Sequence, residues 1–224
     1  MIFLPEIRLK RITDSLFEYL RVDLAENIKN NTENESHLYL LFHESFDDKN
    51  ASINYNEAKS IFLRKESDAR YLKVSPVFDR RRATMPTIHI VVPQDSEEYR
   101  QIGDISGSYD YDDDENGYVK DKLGRAFQTQ FNLITTSDNI NEVLYINYIL
   151  RALLLGAIPL LEAVGFINPG FGTQDLNINP ELFPANAYMK GILMTASYPE
   201  IVPEVAANNP KINNIVFNIN KIIY

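Results

Sequence analysis

The chain has 224 residues, 45% of them hydrophobic and 24% charged, so it can fill one substantial core and is not expected to be disordered. Its 31 acidic and 22 basic residues give a formal net charge of −9, which argues against tight nucleic-acid binding, because such binding needs Lys and Arg to neutralise phosphates. The lack of cysteine excludes disulfides, thiolate metal sites and cysteine nucleophiles, and no apolar run approaches the ~18 residues of a membrane span.

The N-terminal part of the chain is predicted to hold one long helix and a short strand. In residues 6–30 apolar side chains recur three or four positions apart, with charged residues between them, which predicts one amphipathic helix. A polar, Asn-rich loop follows at 30–34. The apolar run HLYLLF at 37–42 then predicts a short buried strand.

The next segment is predicted to contain a loop and two strands. Residues 43–56 are polar and rich in Asn and Asp, which indicates a surface loop, whereas 57–66 fits either a short helix or a strand. Strands are predicted at 71–78 and 87–92. The second of these, in PTIHIVVP, is β-branched and bounded by a proline on each side.

An acidic segment precedes a long strand and a second helix. Residues 94–122 contain three glycines and the run DYDDDENG without a helix or strand period, which predicts a projecting insertion. In AFQTQFNLITT, at 126–136, apolar residues and Thr alternate with Gln and Asn, the pattern of a strand with one solvated face. Ser137 or Asp138 is predicted to cap a helix at 139–155.

The C-terminal part is predicted to be strands and turns. Gly156 is the expected terminator of the second helix. Residues 157–224 hold seven of the eleven prolines, which favours short strands, with 188–195 and 215–219 the best candidates.

These elements do not alternate regularly, so the predicted fold class is α+β: a mostly antiparallel sheet with two main helices packed on it. We expect a single domain over 1–224. It carries an inserted acidic loop or hairpin at 94–122 and a proline-rich segment of strands and turns at 157–224. The predicted core includes Leu16, Leu20, Ile90, Phe131 and Ile149.

No motif for catalysis or cofactor binding is present, so we predict no enzyme, no catalytic residue and no cofactor. The sequence has no Walker loop, no G-x-G-x-x-G, no G-x-S-x-G and no H-E-x-x-H. The three histidines, His37, His43 and His89, have no partner motif and are interpreted as satisfied or surface side chains. The glycines at 165, 170 and 172 are interpreted as a turn between strands.

Residues Asp112 to Gly117 match part of a calcium loop, with oxygen ligands at positions 1, 3 and 5 and glycine at 6. Position 12 is Leu123 where the bidentate Glu is required. We therefore interpret the segment as a solvated acidic loop and predict no metal site.

One basic cluster stands out in this acidic chain. Its residues are Arg80, Arg81 and Arg82, which form either a solvated turn paired with local acids or a docking patch for an acidic surface, including that of a second copy. The acidic insertion offers such a surface. Its Tyr109, Asp110, Tyr111 and Asp112 combine aromatic side chains with carboxylates, so these seven residues are the predicted subunit interface.

Three segments carry a resemblance to a known family. The helix IRLKRITDSLFEYLRVDL, the strand PTIHIVVP and the strand-to-helix segment FNLITTSDNINEVLYINYILRALLL resemble the tail-terminator and tail-completion proteins of tailed bacteriophages. The resemblance covers residues 6–42 and 71–155. The insertion at 94–122 and the segment after 156 have no counterpart in it, so a stopper, an adaptor or a tail-tube-related protein is an alternative.

The resemblance implies a structural virion protein that is assembled in the host cytoplasm. It implies a homo-oligomeric ring at the neck of the tail, through which DNA passes, with the portal or connector and the tail tube as partners. Tight nucleic-acid binding and membrane association are not expected. No catalytic residues carry over, because the family has none. The alternative from another class is a small-molecule- or peptide-binding regulatory domain.

Overall fold

The computed structural model of the chain describes residues 4–43, 51–76, 85–97, 107–108, 122–174 and 187–203. The helices are α1 (Pro5–Lys29), α2 (His37–His43), α3 (Ala51–Phe62), α4 (Ile140–Gly156) and α5 (Ile158–Ala163), with a 3-10 helix at Glu33–Glu35. The strands are β1 (Lys73–Ser75), β2 (Thr87–Glu97), β3 (Gly107–Ser108), β4 (Lys122–Ser137), β5 (Ile167–Gln174) and β6 (Tyr188–Pro203).

Residue contacts divide the chain into two compact units. The larger unit comprises Leu4–Ser96 and Gln128–Tyr198 and contains all of the helices above. In the smaller unit, β3 pairs antiparallel with the start of β4, Gly107 opposite Leu123 and Ser108 opposite Lys122. The prediction of a single domain over 1–224 stays a prediction.

The sheet confirms the predicted α+β class. Its strand order is β1-β2-β4-β6-β5, and it is mixed but mostly antiparallel. β1 runs parallel to β2, and β5 runs antiparallel to β6. In that second pair Gly170 lies opposite Thr195, and a Cβ on Gly170 would come within 3.1 Å of the Thr195 hydroxyl, so glycine allows the two strands to approach closely here.

The core of the larger unit joins α1, β2, β4 and α4. Four of the five side chains predicted to be buried are fully buried: Leu20, Ile90, Phe131 and Ile149. Leu16 is only half-buried, and its neighbour Phe17 is buried instead, with its ring tilted against that of Phe62 in α3 and the ring centroids 5.7 Å apart. The helical period was therefore predicted well, but the buried side chain at this turn is Phe17 and not Leu16.

Residues 37–42 form a helix, so the predicted strand is wrong. Ser36 precedes α2 in extended conformation, and its Oγ accepts a hydrogen bond from the backbone N–H of Tyr39 at 3.3 Å, which is N-cap geometry. The backbone N–H of His37 donates to the Asp23 carboxylate of α1 at 2.7 Å. An unbroken apolar run has no period of its own, and these capping contacts favour the helix.

The predicted surface loop at 43–56 is also wrong in part, because α3 begins at Ala51 and resolves the ambiguous 57–66 segment as helix up to Phe62. Of the strand predicted at 71–78, β1 spans Lys73–Ser75, and positions 77 and 78 lie outside the described residues. The sequence predicts that β2 ends before Pro93, but the strand continues through Pro93 to Glu97.

The α4 boundaries differ from prediction in detail. The cap is Asn139, whose side chain accepts from the backbone N–H of Asn141 at 2.9 Å, and neither Ser137 nor Asp138 is the N-cap. Gly156 is the last residue of α4 rather than its terminator. Pro159 then lies in the first turn of α5, where a missing N–H costs little, so a helix forms where only strands and turns were predicted.

The last described strands also correct the sequence prediction. β6 is 16 residues long, twice the strand predicted at 188–195. Gly170 and Gly172 lie within β5 and not in a turn, whereas Gly165 has a φ of 104° between α5 and β5. The strand predicted at 215–219 lies outside the described residues.

Candidate functional site

The seven residues predicted to form a subunit interface lie outside the described residues: Arg80, Arg81, Arg82, Tyr109, Asp110, Tyr111 and Asp112. The partial calcium loop from Asp112 to Gly117 lies outside them as well. Both assignments stay predictions.

The histidines make local contacts. His89 is buried in β2, with its Nε2 3.4 Å from the Thr136 hydroxyl of β4. His43 stacks on Tyr39 with ring centroids 3.7 Å apart, and its Nδ1 lies 3.0 Å from the Tyr39 carbonyl oxygen. Because a carbonyl oxygen only accepts, Nδ1 carries the proton in this contact.

The strongest charge cluster lies where β4 meets α4. The Glu142 side chain is 6% exposed and accepts hydrogen bonds from Arg64 Nη2 at 2.7 Å, Arg70 Nη2 at 2.6 Å and the Ser137 hydroxyl at 2.6 Å. Arg70 also forms a two-bond contact with Asp138, at 2.6 and 3.0 Å. The cluster fastens the segment between α3 and β1 to the start of α4.

The protonation of this cluster follows from its contacts. Burial alone raises the pKa of Glu142, but the hydrogen bonds from Ser137, Arg64 and Arg70 together outweigh it, so the pKa is lowered. The hydrogen bonds of Arg70 also lower the pKa of Asp138. Both carboxylates are therefore ionised at neutral pH. Every charged side chain of the cluster is paired, which favours a structural role over acid–base chemistry.

A second polar cluster joins the 3-10 helix to α3. The Glu33 carboxylate accepts from the Tyr55 hydroxyl at 2.7 Å and from Lys59 Nζ at 2.5 Å. The hydrogen bonds from Lys59 and Tyr55 lower the pKa of Glu33, whereas burial and the contact with Glu33 raise the pKa of Tyr55. These contacts hold the 3-10 helix against α3.

A pocket of about 380 Å³ opens beside α4. We call it the α4 pocket. Its walls come from α2, α3, α4, β5 and β6, and its lining includes Phe42, Asn54, Tyr145, Asn147, Tyr148 and Arg151. The sequence did not indicate this site, because its residues are scattered over about 150 positions with no motif. The only signal was the aromatic and amide content of α4.

Exposed apolar side chains lie near in sequence to a hydrogen bond that joins the start of α1 to the end of α5. Arg8 Nη1 donates to the Val164 carbonyl oxygen at 2.6 Å, which joins these two places. Four side chains within four residues of this bond are 40–50% exposed: Leu4, Ile7, Leu160 and Ile167. We call them the apolar end patch. Large apolar side chains exposed together are typical of interaction surfaces.

No protein-family model matches the chain, and a search of curated proteins finds no significant match. Within the described part of the chain, no helix is long and apolar enough to cross a membrane. In the same residues, no group of three or more His, Asp or Glu side chains is placed to hold a metal ion. A function for the chain therefore rests on its residues and its fold.

Proposed function

We propose that the protein is a structural virion protein of a tailed bacteriophage that forms a ring at the junction of neck and tail, as a tail terminator or connector. The elements that carry the resemblance support this role. α1, β2, β4 and α4 occur in the expected order, and β4 leads into α4 through only Asp138 and Asn139.

The observation that carries the proposal is the apolar end patch. A ring requires each copy to present a surface to the next, and the centre of such a contact is apolar. The patch offers four large, exposed aliphatic side chains on the two segments that the Arg8 to Val164 hydrogen bond joins. Burial of apolar area against a second copy would stabilise the contact in proportion to the area removed from water.

Charge complementarity is the second part of the proposed contact. The basic cluster of Arg80, Arg81 and Arg82 and the acidic segment from Tyr109 to Asp112 are of opposite charge, so they are suited to a heterologous contact between neighbouring copies. Rim ion pairs of this kind contribute under ~1 kcal/mol each, so they set orientation more than affinity. A net charge of −9 also suits a passage along which DNA slides without binding.

Mass photometry and negative-stain microscopy of the purified protein test the proposal. We expect one high-order species with rotational symmetry. Ile7→Asp and Leu160→Asp should each disperse it, because a carboxylate in the apolar centre of a contact is costly to bury. Leu63→Asp is the matched control, since Leu63 is 44% exposed at the end of α3 and outside the patch. A chain that stays monomeric at all concentrations contradicts the ring.

The charge pairing has its own test. Arg81→Glu should impair assembly, and the added change Asp112→Arg should partly restore it. Normal assembly of the single variant contradicts the pairing while leaving the ring intact. A monomer that is thermally stabilised by small molecules would instead favour the binding-domain alternative.

A further inference from the structure

We infer that the α4 pocket is a binding site for a small planar aromatic molecule that carries one anionic group. The inference does not depend on ring formation. All of the pocket's described walls belong to the larger unit, and none of the four residues of the apolar end patch lines it.

The pocket has an aromatic wall. Phe42 of α2 contacts two tyrosines of α4, with its ring centroid 6.0 Å from that of Tyr145 and 6.3 Å from that of Tyr148. Phe42 meets Tyr145 edge to face at 70° and is tilted by 58° to Tyr148, so the rings are not stacked, and both half-buried tyrosines line the pocket. Half-buried aromatic side chains in a pocket wall favour a planar aromatic ligand, which they contact with offset or edge-to-face geometry.

The polar side chains of the pocket are fixed before a ligand arrives. The Tyr145 hydroxyl donates to Asn54 Oδ1 at 3.1 Å, which ties α4 to α3. Asn147 is buried, and its Nδ2 donates to the backbone carbonyl oxygen of Lys190 at 3.3 Å, which ties α4 to β6. Side chains that are already ordered lose little conformational entropy on binding, so a pocket of this kind binds its ligand more tightly than a loose one.

Charge selects the class of ligand. The described lining contains the cations Arg151 and Lys190 and no acidic residue, in a chain of net charge −9. Arg151 lies one helical turn after Asn147, on the same face of α4. In the described part of the chain no carboxylate forms an ion pair with Arg151, so its fork of N–H donors is available to a carboxylate or phosphate group.

The size of the pocket limits the ligand. Its volume of about 380 Å³ is at the lower end of the range for small-molecule sites. That volume suits one to three fused or linked rings with a single charged group. The structure therefore assigns the pocket to a small aromatic molecule with a carboxylate or a phosphate group.

Two fluorescent probes test the assignment. The first, 1-anilinonaphthalene-8-sulfonate, is anionic and aromatic, and the second, N-phenyl-1-naphthylamine, has the same ring system without the charge. The wild-type chain should bind each with saturation at one site per chain. Arg151→Gln should lower the affinity for the anionic probe about tenfold, the loss expected for one charge-assisted hydrogen bond. It should leave the affinity for the neutral probe unchanged. Tyr148→Leu should weaken both.

The matched control is Arg11→Gln, which removes an exposed arginine of α1 that forms no ion pair among the described residues. It should leave both probes unaffected. Thermal unfolding of each variant checks that the fold is kept. Equal effects of Arg11→Gln and Arg151→Gln, or binding of the anionic probe that does not saturate at one site, would overturn the assignment.

Displacement of the anionic probe identifies the charged group. Displacement by benzoate supports a carboxylate ligand, and displacement by phenyl phosphate supports a phosphate. Displacement by benzyl alcohol as effective as that by either anion would show that charge does not select the ligand, which overturns the assignment. These outcomes are independent of the oligomeric state, so failure of the ring and failure of the pocket are distinguishable.

Discussion

Replacing Glu142 by Gln should destabilise the protein by about 2–4 kcal/mol. The substitution keeps the shape of the side chain and removes its charge. Arg64, Arg70 and Ser137 then share one neutral oxygen and an NH₂ group that cannot accept. Because the Glu142 side chain is 6% exposed, water does not replace the lost contacts on its side. The two arginines are partly exposed and can be rehydrated, which keeps the loss below the upper values known for buried pairs.

Urea-induced unfolding at pH 7 measures this loss, and thermal unfolding should show a lower midpoint by roughly 2–4 °C per kcal/mol for a chain of this size. Asp138→Asn is the matched control. Asp138 contacts the same Arg70, but its side chain is 47% exposed, so its replacement should cost under ~1 kcal/mol. If Asp138→Asn costs as much as Glu142→Gln, burial does not determine the strength of this cluster and the reasoning is refuted.

The same cluster predicts a pH dependence. The folded state lowers the pKa of Glu142 and Asp138, so their stabilising contribution is complete above the unfolded-state pKa and is lost as the pH falls through the folded-state value. Stability should therefore decline on acidification below about pH 4.5, the ordinary value for a glutamate. The decline should be shallower in Glu142→Gln. Identical pH profiles for the variant and the wild type would contradict this linkage.

Three further predictions concern the core, the insertion and nucleic acid. Phe131→Ala should cost about 3–5 kcal/mol in urea unfolding, because Phe131 is fully buried against Phe166; a loss under ~1 kcal/mol would contradict its place in the core. Replacing residues 106–119 with a short Gly/Ser linker should leave cooperative unfolding intact and impair assembly, and loss of all folded protein would argue against it. Duplex DNA should not bind at physiological salt because the net charge is −9, and micromolar binding with a steep salt dependence would disprove this.

The elements that the sequence predicted well are those with a sustained period. α1 was predicted at 6–30 and lies at Pro5–Lys29, and the alternating pattern at 126–136 lies within β4. Over 25 residues a helical period repeats about seven times, so single errors such as the one at Leu16 do not change the assignment. From Ile134 onward β4 is buried on both faces, and there the alternation gives no further information.

The candidate sites could not be predicted in the same way, because their residues meet only after folding. Arg64 and Glu142 are 78 positions apart, and Tyr145 and Asn54 are 91 apart. Neither pair belongs to a motif with fixed spacing. A charged residue in the first turn of a helix, such as Glu142, is also expected from the helix dipole alone, so its burial gives no sequence signal.

The helix at α2 is the clearest case in which a local contact overrides the apolar pattern, and Ser36→Ala tests it. The buried Ser36 hydroxyl donates to the Glu33 carbonyl oxygen at 2.8 Å and accepts from the backbone N–H of Tyr39 at 3.3 Å. Loss of this cap should cost about 0.5–2 kcal/mol in urea unfolding. Ser60→Ala is the control, because the Ser60 hydroxyl is exposed inside α3, where Ala favours the helix.

A strand at 37–42 would have no N-cap, so Ser36→Ala would then change stability no more than Ser60→Ala does. The result also bears on the α4 pocket, since α2 carries Phe42 into its wall. If the cap determines the position of α2, Ser36→Ala should lower the affinity for the anionic and the neutral aromatic probe equally. The substitution loosens the aromatic wall and does not change the charge of Arg151. Unchanged binding of both probes would show that the cap at Ser36 does not determine the position of Phe42 in the pocket wall.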